Sequence, residues 1–500
     1  MRVSYFCLMI PVCLSQNLKA DDTLSIAKAF IQKGKYKKAE KILSAYEQNH
    51  PNDLNGIWLY GQTAYWNEHL RTFRKVYDNA ITRFPSNYYL KLDYAIKLAE
   101  SGDIKKAAPL LTEYVKYDKN SSDLKLLVAK LAYWNSNYES ALKQLQDEQL
   151  IKQKPKETET LRAEVRNAQS IWIKAGFDYL TDDQPLQQMI PSVEAGKSFN
   201  KFLSPFIAFQ VPVFTTVDGT LNGIKAEIGN KFNFSNIGLK AAVNTGFIQL
   251  PNKEKLIFGG IELVKTTFNF LQLTAIASRQ PYLSTISSVI NYAVVPYHYE
   301  LNMAWINQHS WNGKIISSYD QFTEDKNYVY NVGAWILSPP VKWTKLYLRM
   351  GYAFGYASSK DNKYTSKESL AKIITGYSSG KSIEGNYQPY FTPLNQHTHS
   401  VLLNIAFKPN KMTEAGLNTS IAFAGKLDNP YLFLDKTNSN ELFINKGYST
   451  INFYPKKADL FILCKFTKKA SFKVNYTFFK NNFYTSHMIG ASVILNFWNE

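Results

Sequence analysis

The stretch Ile224-Lys225-Ala226-Glu227-Ile228-Gly229-Asn230-Lys231-Phe232-Asn233-Phe234 decides the fold. Side chains on an extended strand point alternately to its two faces. Here one face collects Ile224, Ala226, Ile228, Phe232 and Phe234; the other collects Lys225, Glu227, Gly229, Lys231 and Asn233. Residues 237–247 repeat the rhythm, with Lys240 and Asn244 opposite Leu239, Ala241 and Val243. In residues 346–356 Tyr347, Arg349, Gly351 and Gly355 lie opposite Leu346, Leu348, Met350, Tyr352, Phe354 and Tyr356. Residues 401–407 and 472–478 behave alike. Runs of about 8–12 residues are what a tilted strand needs to cross a bilayer. The alternation predicts an antiparallel transmembrane β-barrel over residues 170–500, with about 14–16 strands.

The flanks of these runs agree. Trp172, Tyr179, Trp305, Trp311, Trp335, Trp343, Tyr387, Phe497 and Trp498 stand near strand ends, where an interfacial aromatic girdle is expected. The chain closes on Ile489, Ala491, Val493, Leu495 and Phe497, alternating with Gly490, Ser492 and Asn496. That last strand resembles the C-terminal signal of outer-membrane barrels. Composition fits as well: 500 residues, 15% aromatic, net charge +18 and mean hydropathy −0.28. After residue 20 no run reaches the roughly 18 apolar residues of a spanning helix.

Ahead of the barrel the period changes. Arg2 precedes an apolar run from Val3 to Leu14, so residues 1–20 read as a signal peptide, cleaved after Ser15 or Ala20. Cys7 and Cys13 leave with it, and Cys464 remains as a packed strand residue. From residue 21 a repeat begins. Ala64-Tyr65-Trp66-Asn67 recurs as Ala132-Tyr133-Trp134-Asn135, two periods of 34 residues later. At that period come Gly34, Glu68, Gly102 and Ser136, then the helix-packing positions Ala39, Phe73, Ala107 and Ala141. Each unit reads as two amphipathic helices joined at the Gly position.

This pattern resembles the tetratricopeptide repeat, in four units over residues 21–150, with a helical linker over 151–169. The resemblance implies an all-α solenoid whose groove is lined from the first helix of each unit. In this chain those positions are Trp58, Gln62, Tyr65, Tyr89, Lys130 and Tyr133. The implied ligand of such a groove is a periplasmic or inner-membrane protein partner.

Within the barrel, Tyr390-Phe391-Thr392-Pro393 leads into a late strand. This lead-in resembles the C-terminal barrels of cellulose and poly-N-acetylglucosamine exporters, and the shorter YaiO-type outer-membrane family. The resemblance implies export or surface handling of a polysaccharide. A protein or lipoprotein translocon is the alternative, since such proteins also join repeats to a barrel.

Charge and chemistry narrow the rest. Residues 21–150 carry a net +3 and residues 171–500 a net +11, so the basic excess lies in the barrel. A basic lumen or rim suits an anionic glycan or lipopolysaccharide phosphates, and a leader argues against nucleic acid. The candidate lumen contacts are Lys225, Glu227, Lys231, Lys240, Asn244, Tyr347 and Arg349. None of the seven histidines stands in a zinc or metalloprotease spacing, and no nucleophile elbow or phosphate loop occurs. The expectation is therefore a non-enzymatic barrel of the outer membrane without metal or cofactor, its repeats in the periplasm.

Overall fold

The computed structural model describes residues 22–497, apart from 68, 184–185, 217–218, 235–236, 252–253, 268–269, 291–292, 308–309, 377–382, 411, 440 and 468. The leader read over residues 1–20, Glu68 and Trp498 lie outside the described residues. The chain forms two compact units, Met1–Leu124 and Lys125–Glu500.

The first unit consists of helices α1 (Asp22–Gln32), α2 (Tyr36–Asn49), α3 (Leu54–Trp66), α4 (Leu70–Arg83), α5 (Tyr88–Glu100) and α6 (Ile104–Tyr117). The second opens with α7 (Ser122–Trp134, which straddles the division), α8 (Tyr138–Gln144), α9 (Glu148–Gln153) and α10 (Pro155–Gln169). Helices α2, α4, α6 and α8 begin 34 residues apart, as do α3, α5 and α7. The period is thus a period of helix starts. Gly34, Gly102 and Ser136 occupy the turn with φ of 67°, 84° and 55°. Glycine takes that left-handed backbone freely, and Ser136 takes it against its own Cβ. Ala39, Phe73, Ala107 and Ala141 are all fully buried. Phe73 fits because aromatic neighbours meet it edge-on: Tyr77 and Tyr94 lie 5.1 and 5.4 Å from its centroid.

After α10 the chain enters the sheet at Ser170, whose hydroxyl donates to the Asn167 carbonyl at 2.7 Å. Sixteen antiparallel strands follow and close on themselves. They are β1 (Ile171–Asp182), β2 (Gln187–Lys197), β3 (Pro205–Gln210 with Val213–Thr216) and β4 (Gly219–Asn222 with Ile224–Phe234). Next come β5 (Leu239–Gln249), β6 (Lys255–Thr267), β7 (Leu271–Arg279), β8 (Tyr297–Trp305) and β9 (Asn312–Phe322). Then follow β10 (Asn327–Leu337 with Val341–Trp343), β11 (Leu346–Ser359), β12 (Gln396–Phe407) and β13 (Thr413–Lys436). The last are β14 (Leu442–Asn452 with Lys456–Lys465), β15 (Ala470–Lys480) and β16 (Thr485–Phe497). Prolines stand in the breaks of β3, β10 and β14 (Pro212, Pro339, Pro340, Pro455), because proline brings no N–H to a ladder.

Closure is the decisive contact. β1 pairs β16 from Ile171↔Phe497 to Asp182↔Ser486. With an even strand count, the start of β1 and the end of β16 share one end of the barrel, here called the terminal end. The other end is the distal one.

Outside, Ile207, Ile228, Ile257, Leu301 and Met350 are more than half exposed. Such a belt is favourable only against hydrocarbon, so the barrel is of the transmembrane, outer-membrane type. Near the distal end the rings of Tyr299, Tyr319, Tyr328, Tyr330 and Tyr356 follow one another at 5.4–6.5 Å, a girdle of tyrosines. Trp172 departs from the girdle reading. It alternates with the exposed Ile171 and Ile173, so it faces the lumen, where the Lys231 ammonium lies 5.1 Å from its ring. Trp335 shares that inward parity, between Ala334 and Ile336 on the lipid side.

Ile228→Arg puts a cation on the lipid face, at a cost of about 2–4 kcal/mol near the midplane. Heat-modifiable barrel assembly should drop for Ile228→Arg and stay normal for Lys225→Ala, whose side chain is on the other face of the same strand. Equal assembly of both would show that the two faces are interchangeable.

Candidate functional site: the lumen and the strap across its distal mouth

Alternation sends every second side chain inward, and those residues carry most of the chemistry. Lys225 Nζ lies 3.9 Å from Glu227 Oε2, and Asn244 Nδ2 donates to Glu227 Oε1 at 2.7 Å. These three candidates form one group on β4 and β5, with Lys225 also 4.6 Å from the Phe258 ring. Lys231 stands apart, 3.7 Å from Glu194 and between the Trp172 and Phe206 rings. Lys240 faces inward on β5, four residues before Asn244 and across from Asn233, and is exposed to the lumen. Tyr347 lies under Lys342, 5.7 Å from ring to ammonium.

Arg349 is inward too, but its guanidinium is taken up by the chain itself. It donates to the Ser310, Ser338 and Asn307 carbonyls at 2.9, 3.1 and 3.1 Å and is buried. It fastens turns at the terminal end, a task that five fixed N–H donors suit. Sequence reasoning missed a second inward group. His298 Nδ1 lies 2.7 Å from Asp320, its Nε2 lies 3.6 Å from Glu300, and Asn302 donates to Glu300. Strand parity was the signal for these residues, once β8 and β9 were delimited.

The distal mouth is crossed. Between β7 and β8 the described residues 280–290, with helix α11 (Ile286–Ile290), and 293–296 touch two facing walls. On one side Gln188 Nε2 donates to the Leu283 carbonyl at 2.7 Å, and Val289 packs with Leu186 and Phe214. Gln188 and Phe214 are register partners of β2 and β3, facing inward. On the other side Tyr282 and Val294 pack with Phe322, Val329 and Tyr390 at the β9–β10 hairpin. β2 and β10 are eight strands apart in a ring of 16, so they are opposite walls. The segment is a strap.

The motif Tyr390-Phe391-Thr392-Pro393 is its fastening. The Tyr390 ring stacks on Phe322 at 3.5 Å, and its hydroxyl donates to Asp325 at 2.6 Å and accepts from Asn327 at 3.0 Å. Phe391 N donates to the Tyr282 hydroxyl at 3.3 Å, and Thr285 donates to the Pro389 carbonyl. Thr392 is fully buried, its hydroxyl accepting from Lys363 N at 2.8 Å. The Pro393 carbonyl accepts from Ser359 N and Oγ, both at 2.8 Å. Burial would raise the Asp325 carboxyl; donors Lys363 and Tyr390 hold it below the usual range. Burial and Asp325 in turn push the Tyr390 phenol up.

The repeat-groove candidates divide between the compact units, with Trp58, Gln62, Tyr65 and Tyr89 in the first and Lys130 and Tyr133 in the second. Trp58 Nε1 and Gln62 Nε2 donate to Asp93 at 2.6 and 3.2 Å, and Tyr77 and Lys97 join them. Burial alone would push Asp93 up, yet Lys97 and these donors bring it below the usual carboxylate range. Trp58 and Gln62 thus hold the core of the unit. Tyr65 is buried, its hydroxyl 3.2 Å from Glu100. Tyr89 is 53% exposed and meets Tyr114 and Tyr117 edge-on. Tyr133 packs on the α8–α10 core, and burial pushes its phenol up to about 12. Lys130, on α7, has a further interaction of its own.

Neither a protein-family model nor a curated protein matches the sequence. Among solved structures, the chain is similar to a bacterial polysaccharide outer membrane secretin, at 7% identity and TM-score 0.46, over 66% of this chain and 99% of that one. It is also similar to a loop-deletion mutant of OmpT, an outer membrane protein of Vibrio cholerae, at 8% identity and TM-score 0.30, over 65% and 98%. CdiB from Acinetobacter baumannii is similar at 9% identity and TM-score 0.34, over 66% and 60%. The closed ladder from β1 to β16, and not these likenesses, establishes the barrel.

Two outcomes follow from this geometry. Tyr390→Ala removes the stacked ring and both hydroxyl contacts, a local cost of about 3–5 kcal/mol; the strap should loosen, and conductance in planar bilayers should rise several-fold. Unchanged conductance would mean that the strap is held elsewhere. Asp93→Asn strands the buried Lys97 and should cost the helical unit about 3 kcal/mol. Because the folded Asp93 titrates below its unfolded value, the contribution is full above about pH 4 and fades as pH falls further. Urea unfolding followed by helical circular dichroism at pH 7 and pH 3 checks it: the gap between wild type and variant should shrink at pH 3.

Proposed function

We propose that this protein is a gated outer-membrane conduit for a polysaccharide, its helical repeats lying in the periplasm and docking the machinery that supplies the chain. The carrying observation is the inner wall: paired charges and amides such as Lys225, Glu227 and Asn244 face the lumen along strands whose outer faces are apolar. Hydroxyl-rich chains exchange hydration for such groups readily, and an apolar cargo does not. The resemblance of Tyr390-Phe391-Thr392-Pro393 to the exporter and YaiO-type lead-in supports the same reading.

The seam favours passage along the axis over lateral release of a protein. β1 and β16 pair in unbroken register over the whole of β1, so a sideways exit would have to part that ladder. A strap over the distal mouth gives the conduit a closed state. On the apolar belt, lipid and lipopolysaccharide are the surrounding partners.

Deletion of the chain should remove a surface polysaccharide and leave surface lipoproteins in place. Missing lipoproteins beside an intact polysaccharide would replace the conduit with a translocon. Protease added to intact cells should spare the helices; their digestion without permeabilisation would overturn the topology.

A further inference from the structure

The inner wall has a cleft of about 310 Å³ at the closing seam. Its floor is made of small residues in one register row: Ser192 on β2, Gly176 on β1 and Ser492 on β16. A Cβ on Gly176 would stand 2.7 Å from the Ser192 hydroxyl, so the floor stays low only with glycine there. Long polar residues rise around it. Lys174 and Lys473 flank the floor from either side of β16, while Asp178 and Asn475 close the distal edge.

The charges at this level are uneven. Lys174 is 4.0 Å from Glu194, which it shares with Lys231 at 3.7 Å, and among the described residues Lys473 has no ion pair. The same terminal half of the wall turns Lys240, Lys314 and Lys342 inward as well. Against them the described inward acids of that half include Glu194, Glu227, Glu262, Glu414 and Asp459, of which Glu227, Glu414 and Asp459 already face Lys225, Lys408 and Lys457 at 3.9, 2.8 and 3.1 Å. The terminal mouth is therefore a collar of lysines with too few carboxylates to neutralise it, and it attracts anions.

We propose that the cleft is a subsite for an acidic sugar of the transported chain. The carboxylate of the sugar lies between the Lys174 and Lys473 ammonium groups, and its hydroxyls meet Asp178, Ser192, Asn475 and Ser492. The assignment deepens the conduit reading and rests on it. Lysine suits a passing chain: its ammonium is a mobile point charge, without the rigid two-pronged grip of arginine. The one inward arginine of this end, Arg349, is already committed to three carbonyls.

The test uses the purified full chain in detergent, titrated with tetragalacturonate, cellotetraose and inorganic phosphate by calorimetry, with heat-modifiable mobility as the check on folding. Tetragalacturonate should bind, more weakly as salt rises, and cellotetraose should bind at least about tenfold more weakly. Lys174→Gln with Lys473→Gln should cost tetragalacturonate about tenfold or more, and Lys174→Arg with Lys473→Arg should restore most of it. Equal binding of both saccharides, or a folded double Gln variant that binds like wild type, overturns the subsite. Full displacement by phosphate at equal concentration reduces it to a general anion site, and it falls as a sugar site. If lipopolysaccharide phosphate competes with the same dependence on Lys174 and Lys473, a lipid headgroup is the occupant and the proposal fails. The two readings separate cleanly. No binding by a protein whose deletion removes the polysaccharide sinks the subsite alone; binding by a protein whose deletion leaves it sinks the conduit alone.

Discussion

Everything in the second unit depends on one constraint: inside hydrocarbon, no backbone N–H or C=O can be left without a partner. A sheet meets that demand only by having no edge, and here the pairing of β1 with β16 removes the edge. Closure with an even number of strands puts the first and last strand ends together. The helices of the second unit consequently arrive at the same end as the C-terminus. There Ser170 reaches Asn496 at 3.4 Å, and the α7–α8 turn meets β4 through Asn233 Nδ2 and Ser136 Oγ at 2.8 Å. The strained serine of the repeat turn is thus also a contact with the barrel rim.

The same constraint sorts the side chains. Once the lipid face must be apolar, alternation forces the polar residues of each strand into the lumen, where a 16-strand ring leaves room for them. Part of the basic charge of the barrel is then placed by default on an inner wall, and the rest lies in turns and loops such as those of Lys201, Lys326, Lys345, Lys360 and Lys408. Its distribution is not uniform: lysines crowd the terminal half, while His298, Glu300, Asp320 and Asp178 lie toward the distal one. An anionic chain would be drawn in at the first and held less firmly at the second, which favours movement over retention.

What was legible in sequence follows from the range of the interactions involved. The 34-residue period and the two-residue alternation are local, so both helix starts and strand faces could be read from neighbours alone. Lys225, Glu227 and Asn244 were legible for that reason, since parity plus adjacent strands suffices. The strap was not, because Leu283 finds Gln188 and Tyr390 finds Phe322 only after the ring has closed. Trp172 was misplaced for a related reason: a tryptophan at a strand end suits either the headgroup zone or the lumen, and parity with Ile171 and Ile173 decides. Arg349 shows the limit of parity, which gives the direction of a side chain and not what already occupies it.

The carboxylates of Asp93, enclosed by its donors, and Asp325, half-buried, show how the two compact units solve one problem alike. Each gathers a tyrosine hydroxyl and a lysine around a single acid, and in each the acid stays ionised although burial opposes it. An ion taken out of water in this way adds little net stability over an apolar substitute, but it tolerates few arrangements of its donors. In the helical unit that arrangement fixes how the α3, α4 and α5 side chains interlock. At the distal mouth it fixes the loop before β12 against the β9–β10 hairpin, and through Tyr282 it fixes the strap. The strap is held by apolar packing at both walls and by hydrogen bonds around Tyr282, Leu283, Thr285 and Tyr390, and the polar part of that hold is open to competing hydrogen-bonding groups. Under the conduit reading proposed above, a hydroxyl-rich cargo would bring such groups to the mouth and compete for the polar part of the fastening.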